Sequence, residues 1–257
     1  MTVFAGSIPE LYDRHMGPVL FEPYAQELAA RLPPQAARVL EVAAGTGRVT
    51  RKLVSPSREV VATDLNEPML TEAKKHVRDP HVTWRTADAQ ELPFPDASFD
   101  AVVCAFGLMF VPEKPRALRE FRRVLRPGGT LLLTTWGALA HNPASEALHQ
   151  LAMALLPDDP PAFMATPFSM HDVAELRALA RDFPEAEVET LERIGVAESA
   201  AHLATGFVRG NPLYNQLVER GVDAPAFEAT VAAVLAERFG DHPCRSPMSA
   251  HFLTATA

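Results

Sequence analysis

The sequence predicts an α/β protein built on a parallel sheet with helices on both faces. From residue 37 onward, short segments rich in β-branched and aliphatic residues alternate with segments of helical character. Such alternation is typical of parallel strands joined by right-handed crossovers. The predicted strands are rich in apolar residues, which favours a parallel sheet covered on both faces over an antiparallel one. With 257 residues, 47% of them hydrophobic, the chain can form one such domain around a large core.

The predicted elements follow one another in a regular order. Strands are expected at 38–43, 59–64, 81–86, 99–105 and 130–136. Helices between them are expected at 48–54, 67–77 and 113–125. The helix at 113–125 begins after Pro112 and ends at the sequence RPGG (126–129), because proline followed by glycine stops a helix. The flanking segments predict helices at 9–32, 144–156, 171–182 and 224–239, and two more strands at 187–194 and 249–257.

Composition excludes several classes of protein. The formal net charge of −8 argues against a general surface for nucleic acid or anionic membranes. The two cysteines, Cys104 and Cys244, lie far apart and form no disulfide or zinc pattern. The first 15 residues lack the pattern of a signal peptide, and no run of about 18 apolar residues occurs. We therefore expect a cytoplasmic protein with no membrane span and no metal, and we leave its oligomeric state open.

An apolar run that breaks into a glycine pair, VLEVAAGTGRVT at 39–50, opens the alternating region. Glu41 lies within the run, and Gly45 and Gly47 precede a helical segment. A glycine turn after the first strand of a parallel sheet lets a ligand approach the backbone, and the N–H groups of the next helix attract an anionic group. A dinucleotide and S-adenosylmethionine would both suit this turn, and a tight turn without a ligand is the third interpretation.

Two further acids distinguish these ligands. Asp64 ends the second predicted strand, where a carboxylate can accept hydrogen bonds from both hydroxyls of a ribose. Asp88 follows the third strand, where it could contact an adenine amino group. Their ordinary alternatives are a helix cap for Asp64 and a loop residue for Asp88. Thr50 replaces the third glycine of the dinucleotide fingerprint, and acids suit the positive sulfonium and ammonium of S-adenosylmethionine. The pattern thus favours S-adenosylmethionine, with Glu41 supporting the glycine loop and the ammonium end.

These motifs resemble the class I S-adenosylmethionine-dependent methyltransferases, and most of all the bacterial type 11 group related to the ubiquinone/menaquinone C-methyltransferases. The likeness covers roughly residues 38–135, through the segments LEVAAGTG, ATDLNEPML, ADAQELPFPDASFDAVVC, FGLMFVPE and LREFRRVLRPGG. The early segment GSIPELYDRHMGPVLFEPYA resembles the helical lid of that family. The resemblance implies a Rossmann-like, seven-stranded, mostly parallel sheet with an antiparallel last strand and a helical cap insert. We expect one domain, with a lid at 1–34, a donor-binding core at 35–136, the cap insert at 137–185, and C-terminal strands and helices at 186–257.

The resemblance also implies the residues that contact the donor. They are Tyr12, Glu41, Ala43, Gly45, Gly47, Asp64, Leu65, Met69, Asp88, Ala89, Cys104, Ala105 and Phe106. Two positions depart from the family pattern. Ala105 stands where many close relatives carry glutamine, which puts one polar contact near the donor in doubt, and Ala43-Ala44 replaces a more glycine-rich form, which restricts the backbone approach.

An apolar acceptor pocket is expected from side chains of the lid and of the strand ends. Its candidate residues are Tyr12, Met16, Phe106, Met109, Phe110 and Trp136, although core packing is an equal interpretation for Phe106, Met109 and Phe110. Displacement at a sulfonium methyl needs alignment and exclusion of water, and it needs a base only when the acceptor is not already nucleophilic. His15 and His141 are the candidate bases, with a surface or capping histidine as the alternative for each.

The predicted function is S-adenosylmethionine-dependent methyl transfer to a small, partly apolar acceptor. A NAD-dependent oxidoreductase and a non-catalytic S-adenosylmethionine-binding protein are the alternatives. Residues 1–24 and 137–185 are expected to close the site together, since the insert is apolar and rich in proline. A basic stripe on the helix at 113–125, formed by Arg116, Arg119, Arg123 and Arg126, is interpreted as a solvated face rather than a nucleic-acid contact.

Overall fold

In the computed structural model, which describes residues 4–257, seven strands form one sheet. Their bounds are β1 Arg38–Val42, β2 Glu59–Asp64, β3 Val82–Thr86, β4 Phe99–Ala105, β5 Leu125–Trp136, β6 Glu187–Ala197 and β7 Cys244–Thr256. The strands lie in the order β3-β2-β1-β4-β5-β7-β6. Strands β1 to β5 pair in parallel, whereas β7 is antiparallel to both β5 and β6. The predicted Rossmann-like fold, with a mostly parallel sheet and an antiparallel last strand, is confirmed.

The order of the strands explains why the predicted strands are apolar. Strands β1, β4 and β5 lie inside the sheet, and Leu40, Val102 and Leu132 on them are fully buried. Strand β3 is an edge strand, and its residues alternate between partly buried and exposed. Burial on both faces therefore produces the continuous apolar runs of the central strands.

Helices cover both faces of the sheet. Their bounds in the described residues are α1 Ile8–Leu11, α2 Glu22–Ala30, α3 Thr50–Leu53, α4 Glu67–His76, α5 Lys114–Val124, α6 Pro143–Leu155, α7 Val173–Leu179, α8 Ala200–Arg209, α9 Leu213–Glu219 and α10 Ala224–Phe239. Side-chain caps start three of them: the Asp172 carboxylate accepts from Ala174 N at 2.7 Å, and Ser199 and Asp223 cap α8 and α10. No helix in residues 4–257 combines the length and the apolar character needed to cross a bilayer.

A π-helical segment, Tyr12–Phe21, joins α1 to α2. The backbone N–H of Glu22 donates to the carbonyl of Gly17, five residues earlier, and Pro18 removes one donor inside the segment. The segment carries Tyr12 and Met16, two of the predicted site residues, and π-helical turns are frequent at functional sites.

An ion-pair cluster attaches this segment to the turn after β1. Asp13, which is only 5% exposed, accepts hydrogen bonds from Arg48 Nε at 3.0 Å and Nη2 at 2.9 Å, and from Arg51 Nη2 at 3.1 Å. Glu22 lies 2.5 Å from Lys52 Nζ and 3.6 Å from Arg48 Nη1. The predicted lid is thus tied by charge to the helix that follows the glycine pair.

Several element boundaries differ from the prediction. The helix predicted at 48–54 is only the four-residue α3, and β5 begins at Leu125 rather than at residue 130. Phe99 pairs with Leu125 while Ala101 pairs with Thr130, so residues 126–129 form a bulge within the strand instead of a turn before it. Helices α8 and α9 occupy a region where the sequence pattern predicted no element.

Candidate functional site

The glycine turn after β1 has the backbone that a ligand loop needs. Ala43, Gly45 and Gly47 all adopt positive φ angles, of 55°, 56° and 79°. A Cβ on Gly47 would lie 3.1 Å from the Trp84 ring and 3.3 Å from the Cβ of Ala73, so this glycine allows the turn to pack on α4 and β3. Ala43 holds a left-handed conformation that an alanine adopts only under strain.

Glu41 lies buried beneath this turn. Its side chain is 1% exposed, and its Oε2 accepts a hydrogen bond of 2.6 Å from the Thr50 hydroxyl. Burial raises the pKa of Glu41 to about 8, against the opposing effect of the Thr50 hydrogen bond and with a further contribution from the charge of Asp64. In the ligand-free protein at neutral pH, Glu41 is therefore mostly a neutral acid.

Asp64 connects the end of β2 to the turn. Its Oδ2 accepts from Gly45 N at 2.9 Å, and its Oδ1 accepts from Asn66 N at 2.8 Å. Burial raises the pKa of Asp64, and these backbone donors oppose that effect. A carboxylate has about four lone-pair positions, so Asp64 can hold the turn and still accept hydrogen bonds from a ligand.

A first cavity, which we call the donor cavity, lies beside the turn. It is lined by Tyr12, Phe21, Tyr24, Ala25, Leu28, Glu41, Ala43, Ala44, Gly45, Thr46, Arg48, Val49, Ala105, Phe106 and Thr134. The Thr46 hydroxyl is buried and has no hydrogen-bond partner among the described residues. An orphaned buried hydroxyl in a ligand loop indicates a polar group of a ligand. The cavity volume is only about 40 Å³, and side chains of the N-terminal helices are among its walls.

A second cavity, the aromatic cavity, adjoins the first and has a volume of about 80 Å³. Its lining residues are Phe4, Tyr12, Met16, Leu20, Phe21, Phe106, Phe110, Trp136, Ser145, Leu148, Phe163, Met164, Pro167, Phe168, Phe207 and Asn211. The Phe106 and Trp136 rings stack with centroids 4.2 Å apart. Phe106 has a φ of 52°, a strained backbone that turns this side chain back over the strand end.

The two cavities share a wall formed by Tyr12, Phe21 and Phe106. Burial and the charges of Asp64 and Asp13 raise the pKa of Tyr12 far above its ordinary value. Tyr12 is therefore a neutral phenol at the boundary, able to donate a hydrogen bond but not to act as a base.

The structure brings some of the predicted donor residues together and leaves others apart. Tyr12, Glu41, Ala43, Gly45, Ala105 and Phe106 line the donor cavity, whereas Gly47, Asp64, Leu65, Met69, Asp88, Ala89 and Cys104 do not. Leu65 is 47% exposed, and the Asp88 Oδ1 accepts from Gln90 N at 2.8 Å. Cys104 is buried behind the cavity, where burial raises its pKa to about 12.

Of the predicted acceptor residues, Tyr12, Met16, Phe106, Phe110 and Trp136 line the aromatic cavity. Met109 instead belongs to the buried core at 2% exposure. The walls from residues 145–168 and 207–211 could not be placed from sequence, because the sequence does not show where an apolar insert packs.

The candidate histidines lie elsewhere. The His15 ring packs on the His202 ring with centroids 4.2 Å apart, and burial together with the charge of His202 lowers the pKa of His15. His141 is exposed and lines a surface recess beside Arg193 and Met248. Neither ring is among the described side chains that line the donor or the aromatic cavity. In residues 4–257 no group of three or more histidine, cysteine or acidic side chains is arranged to hold a metal.

The fold and site together define a class: a Rossmann-like protein with a glycine turn after β1, an acid ending β2, and N-terminal helices that line the cavity beside that turn. Comparison with known proteins agrees with this class. Residues 40–133 match the model of a family described as a methyltransferase domain.

Relatives and solved structures extend the comparison. The chain is 42% identical over 127 residues to the ubiquinone/menaquinone biosynthesis C-methyltransferase of Pseudomonas aeruginosa, covering 47% of this chain and 50% of that protein. The chain thus spans about half the length of the curated relatives that it matches. A candidate type II methyltransferase of Anaeromyxobacter dehalogenans is 23% identical, covers 93% of this chain and 97% of its own, and superposes with a TM-score of 0.66. Phosphoethanolamine N-methyltransferase 2 of Haemonchus contortus, solved with phosphomonomethylethanolamine and S-adenosylhomocysteine, is 18% identical with a TM-score of 0.62, over 96% of this chain and 56% of its own. At these identities the two solved structures support the fold.

Proposed function

We propose that this protein transfers a methyl group from S-adenosylmethionine to a small, partly apolar acceptor. The observation that carries the proposal is the wall shared by the donor cavity and the aromatic cavity. In a displacement reaction the acceptor must lie directly against the donor's methyl group, so two adjoining sites are required.

The residues of the donor cavity fit the chemistry of S-adenosylmethionine. Bound there, the donor would supply a sulfonium methyl group. The carboxyl group of Glu41 suits its cationic end, and the Thr46 hydroxyl has a free hydrogen-bonding capacity. Asp64 does not line the cavity but is bonded to the turn beside it through Gly45 N, where its carboxylate could accept from the ribose.

The small volume of the donor cavity adds a condition. At about 40 Å³, the cavity cannot hold a nucleoside until side chains of the π-helical segment and α2 withdraw. Tyr12, Phe21 and Tyr24 line the cavity with large side chains, and all three belong to the N-terminal helices. We infer that residues 1–24 and the insert 137–185 form a lid that opens to admit the donor and becomes ordered when it closes over the bound donor. Residues 1–3 of this range lie outside the described residues.

The lining of the aromatic cavity favours an acceptor atom that is already nucleophilic. Apart from the neutral phenol of Tyr12, no titratable side chain is among the described residues that line it. The polar groups there are Ser145 and Asn211, and the Asn211 amide already donates to Phe207 O at 2.8 Å. The acceptor atom must therefore be nucleophilic without a protein base. The chain contributes orientation between aromatic faces and exclusion of water.

The acceptor itself is not carried over from the relatives. The matched Pseudomonas aeruginosa protein is named a C-methyltransferase, but the alignment covers half of it. Most of the described side chains that line the aromatic cavity lie outside residues 40–133, the stretch that the family model matches.

Ligand binding and turnover test the proposal against its alternatives. S-adenosylhomocysteine should raise the melting temperature of the chain, because a ligand that binds only the native state stabilises it, and NAD should not. Stabilisation by NAD alone would favour the oxidoreductase alternative. Tight binding of S-adenosylhomocysteine, with no methyl transfer across a panel of phenols, enols and amines, would favour a non-catalytic binding protein.

Limited proteolysis tests the lid separately. Cleavage within 4–24 and 137–170 should slow when S-adenosylhomocysteine is added, because the ordered lid protects those peptide bonds. Equal cleavage rates with and without saturating ligand would contradict the lid.

A further inference from the structure

A groove lies between α5 and α7 and has a volume of about 550 Å³, larger than the donor cavity and the aromatic cavity. It is lined by Pro115, Leu118, Arg119, Arg122, Arg123, Ala178, Leu179, Arg181, Asp182 and Phe183. None of these residues lines the donor cavity or the aromatic cavity. Ligand sites commonly have volumes of about 300–1,000 Å³, so the groove can hold a small molecule without rearrangement.

The arginines of α5 divide into two sets. Arg123 donates to Glu120, Asp96 and two backbone carbonyls, so its guanidinium is saturated. Arg116 pairs with Glu91 at 3.3 Å, and Arg126 pairs with Asp100. Three members of the predicted basic stripe are thus held by carboxylates of the same chain.

Arg119 and Arg122 belong to the other set. They are exposed, line the groove, and have no ion pair or side-chain hydrogen bond to any residue of 4–257. Arg181 reaches the same groove from the chain that follows α7, and it too has no such partner in the described structure. The acid that lines the groove beside them is Asp182.

The spacing of the arginines on α5 places like charges close together, which destabilises the helix. Arg119 stands three residues before Arg122 and four before Arg123, spacings at which like charges destabilise a helix. A third guanidinium from another element adds to the repulsion, in a chain whose net charge is −8. An anion bound between these groups would turn the repulsion into attraction.

The floor of the groove is apolar, which indicates that the part of the ligand beyond the anionic group is apolar as well. Leu118 and Phe183 lie there at 4% and 3% exposure, beside Pro115 and Leu179. Guanidinium groups match the oxygens of a phosphate through paired hydrogen bonds, and the apolar floor suits a hydrocarbon chain. We propose that this groove binds a phosphate monoester that carries an apolar chain.

Calorimetry on the full chain with n-octyl phosphate tests the site. The ligand should bind more tightly than inorganic phosphate and more tightly than octanoate, because both halves of the groove contribute. The triple variant Arg119→Gln, Arg122→Gln, Arg181→Gln should bind n-octyl phosphate about tenfold more weakly or worse, since charge-assisted hydrogen bonds are lost. The matched control replaces Arg78, Arg238 and Arg245 by Gln. These three side chains are exposed and have no side-chain partner in residues 4–257. Their loss should leave the affinity for n-octyl phosphate within about twofold of that of the wild type.

A second measurement uses the unaltered protein. Phenylglyoxal modification mapped by mass spectrometry should show protection of Arg119, Arg122 and Arg181 by n-octyl phosphate, and no protection of Arg78. Equal affinity of both triple variants, or equal affinity for inorganic phosphate and n-octyl phosphate, would overturn the proposal. So would tight binding of a hexaglutamate peptide without binding of n-octyl phosphate, which would indicate an acidic protein segment instead. Binding to phosphatidylcholine vesicles that contain phosphatidic acid, and its loss in the groove variant, would support the site with a lipid as the source of the ester.

Discussion

The substitution Glu41→Gln tests the electrostatics of the donor cavity in the ligand-free protein. Glutamine has the shape of a protonated glutamate and keeps an oxygen that can accept the hydrogen bond from Thr50. It removes only the ability to ionise. Any dependence of the variant's relative stability on pH therefore reports the charge of Glu41.

The expected magnitude follows from the raised pKa. In the folded protein Glu41 keeps its proton up to about pH 8, whereas in the unfolded chain it loses the proton near its ordinary pKa of 4.5. Between these values the unfolded state binds fewer protons than the folded state, so the free energy of unfolding of the wild type falls as the pH rises. At about 1.36 kcal/mol per pH unit, the difference reaches about 3–5 kcal/mol at pH 8.

Urea unfolding at several pH values measures this difference. Wild type and Glu41→Gln should be similarly stable near pH 4.5, and the variant should become progressively more stable than the wild type up to pH 8. The control Glu237→Gln changes an exposed acid that has no side-chain partner in the described structure, and should track the wild type within about 0.5 kcal/mol. A constant difference between Glu41→Gln and the wild type across this range would show that Glu41 is ionised in the folded protein, and would refute the reasoning.

The remaining predictions concern the turn and the lid. Gly107→Ala should destabilise the fold, because its new Cβ would overlap that of Ala43 and lie 3.2 Å from the Cys104 Sγ. Adding Ala43→Gly should restore about 1–3 kcal/mol of the free energy of unfolding measured in urea. If the effects of the two substitutions on that free energy were strictly additive, the contact would be contradicted. Asp64→Asn should weaken binding of S-adenosylhomocysteine by about 10–100-fold while the circular dichroism spectrum stays the same, and an unchanged affinity in calorimetry would remove this residue from the donor site. Asp13→Asn should lower the free energy of unfolding by about 2 kcal/mol, because Arg48 loses its buried partner, and should speed proteolysis of the π-helical segment; unaltered proteolysis would mean that this pair does not hold the lid.

The donor-binding half of the chain could be predicted from sequence because its signals are local. Strand β1, the glycine turn and the acid at the end of β2 follow one another within about 25 residues, and each has a direct physical reason. Strands β2 and β4 and helix α10 begin and end at the predicted residues. At Pro127 the prediction correctly ended the helix but began the next strand at residue 130, whereas β5 begins at Leu125 and contains a bulge.

The aromatic cavity could not be predicted to the same extent. Phe163, Phe168 and Phe207 are far from the donor motifs in sequence, and nothing in their spacing shows that they meet Phe106. Thr46 was not predicted as a site residue, because a threonine between two glycines is typical of an ordinary turn. Its buried hydroxyl without a hydrogen-bond partner is visible only in the structure. Long-range packing of this kind is set by tertiary contacts that sequence periodicity does not encode.

Most of the described side chains that line the aromatic cavity lie outside residues 40–133, the stretch that the family model matches. Within residues 40–133, Phe106 and Phe110 line it, and the other described lining residues come from the N-terminal segment, the end of β5, the insert, α8 and the residues just after α8. Under the proposed function, substitutions in those walls would change the acceptor preference and leave the donor motifs untouched. For the same reason, a chimera that exchanges residues 4–24 and 137–211 between two such proteins should exchange their acceptors. The separation makes this fold a scaffold on which new acceptors can be recruited without rebuilding the donor half.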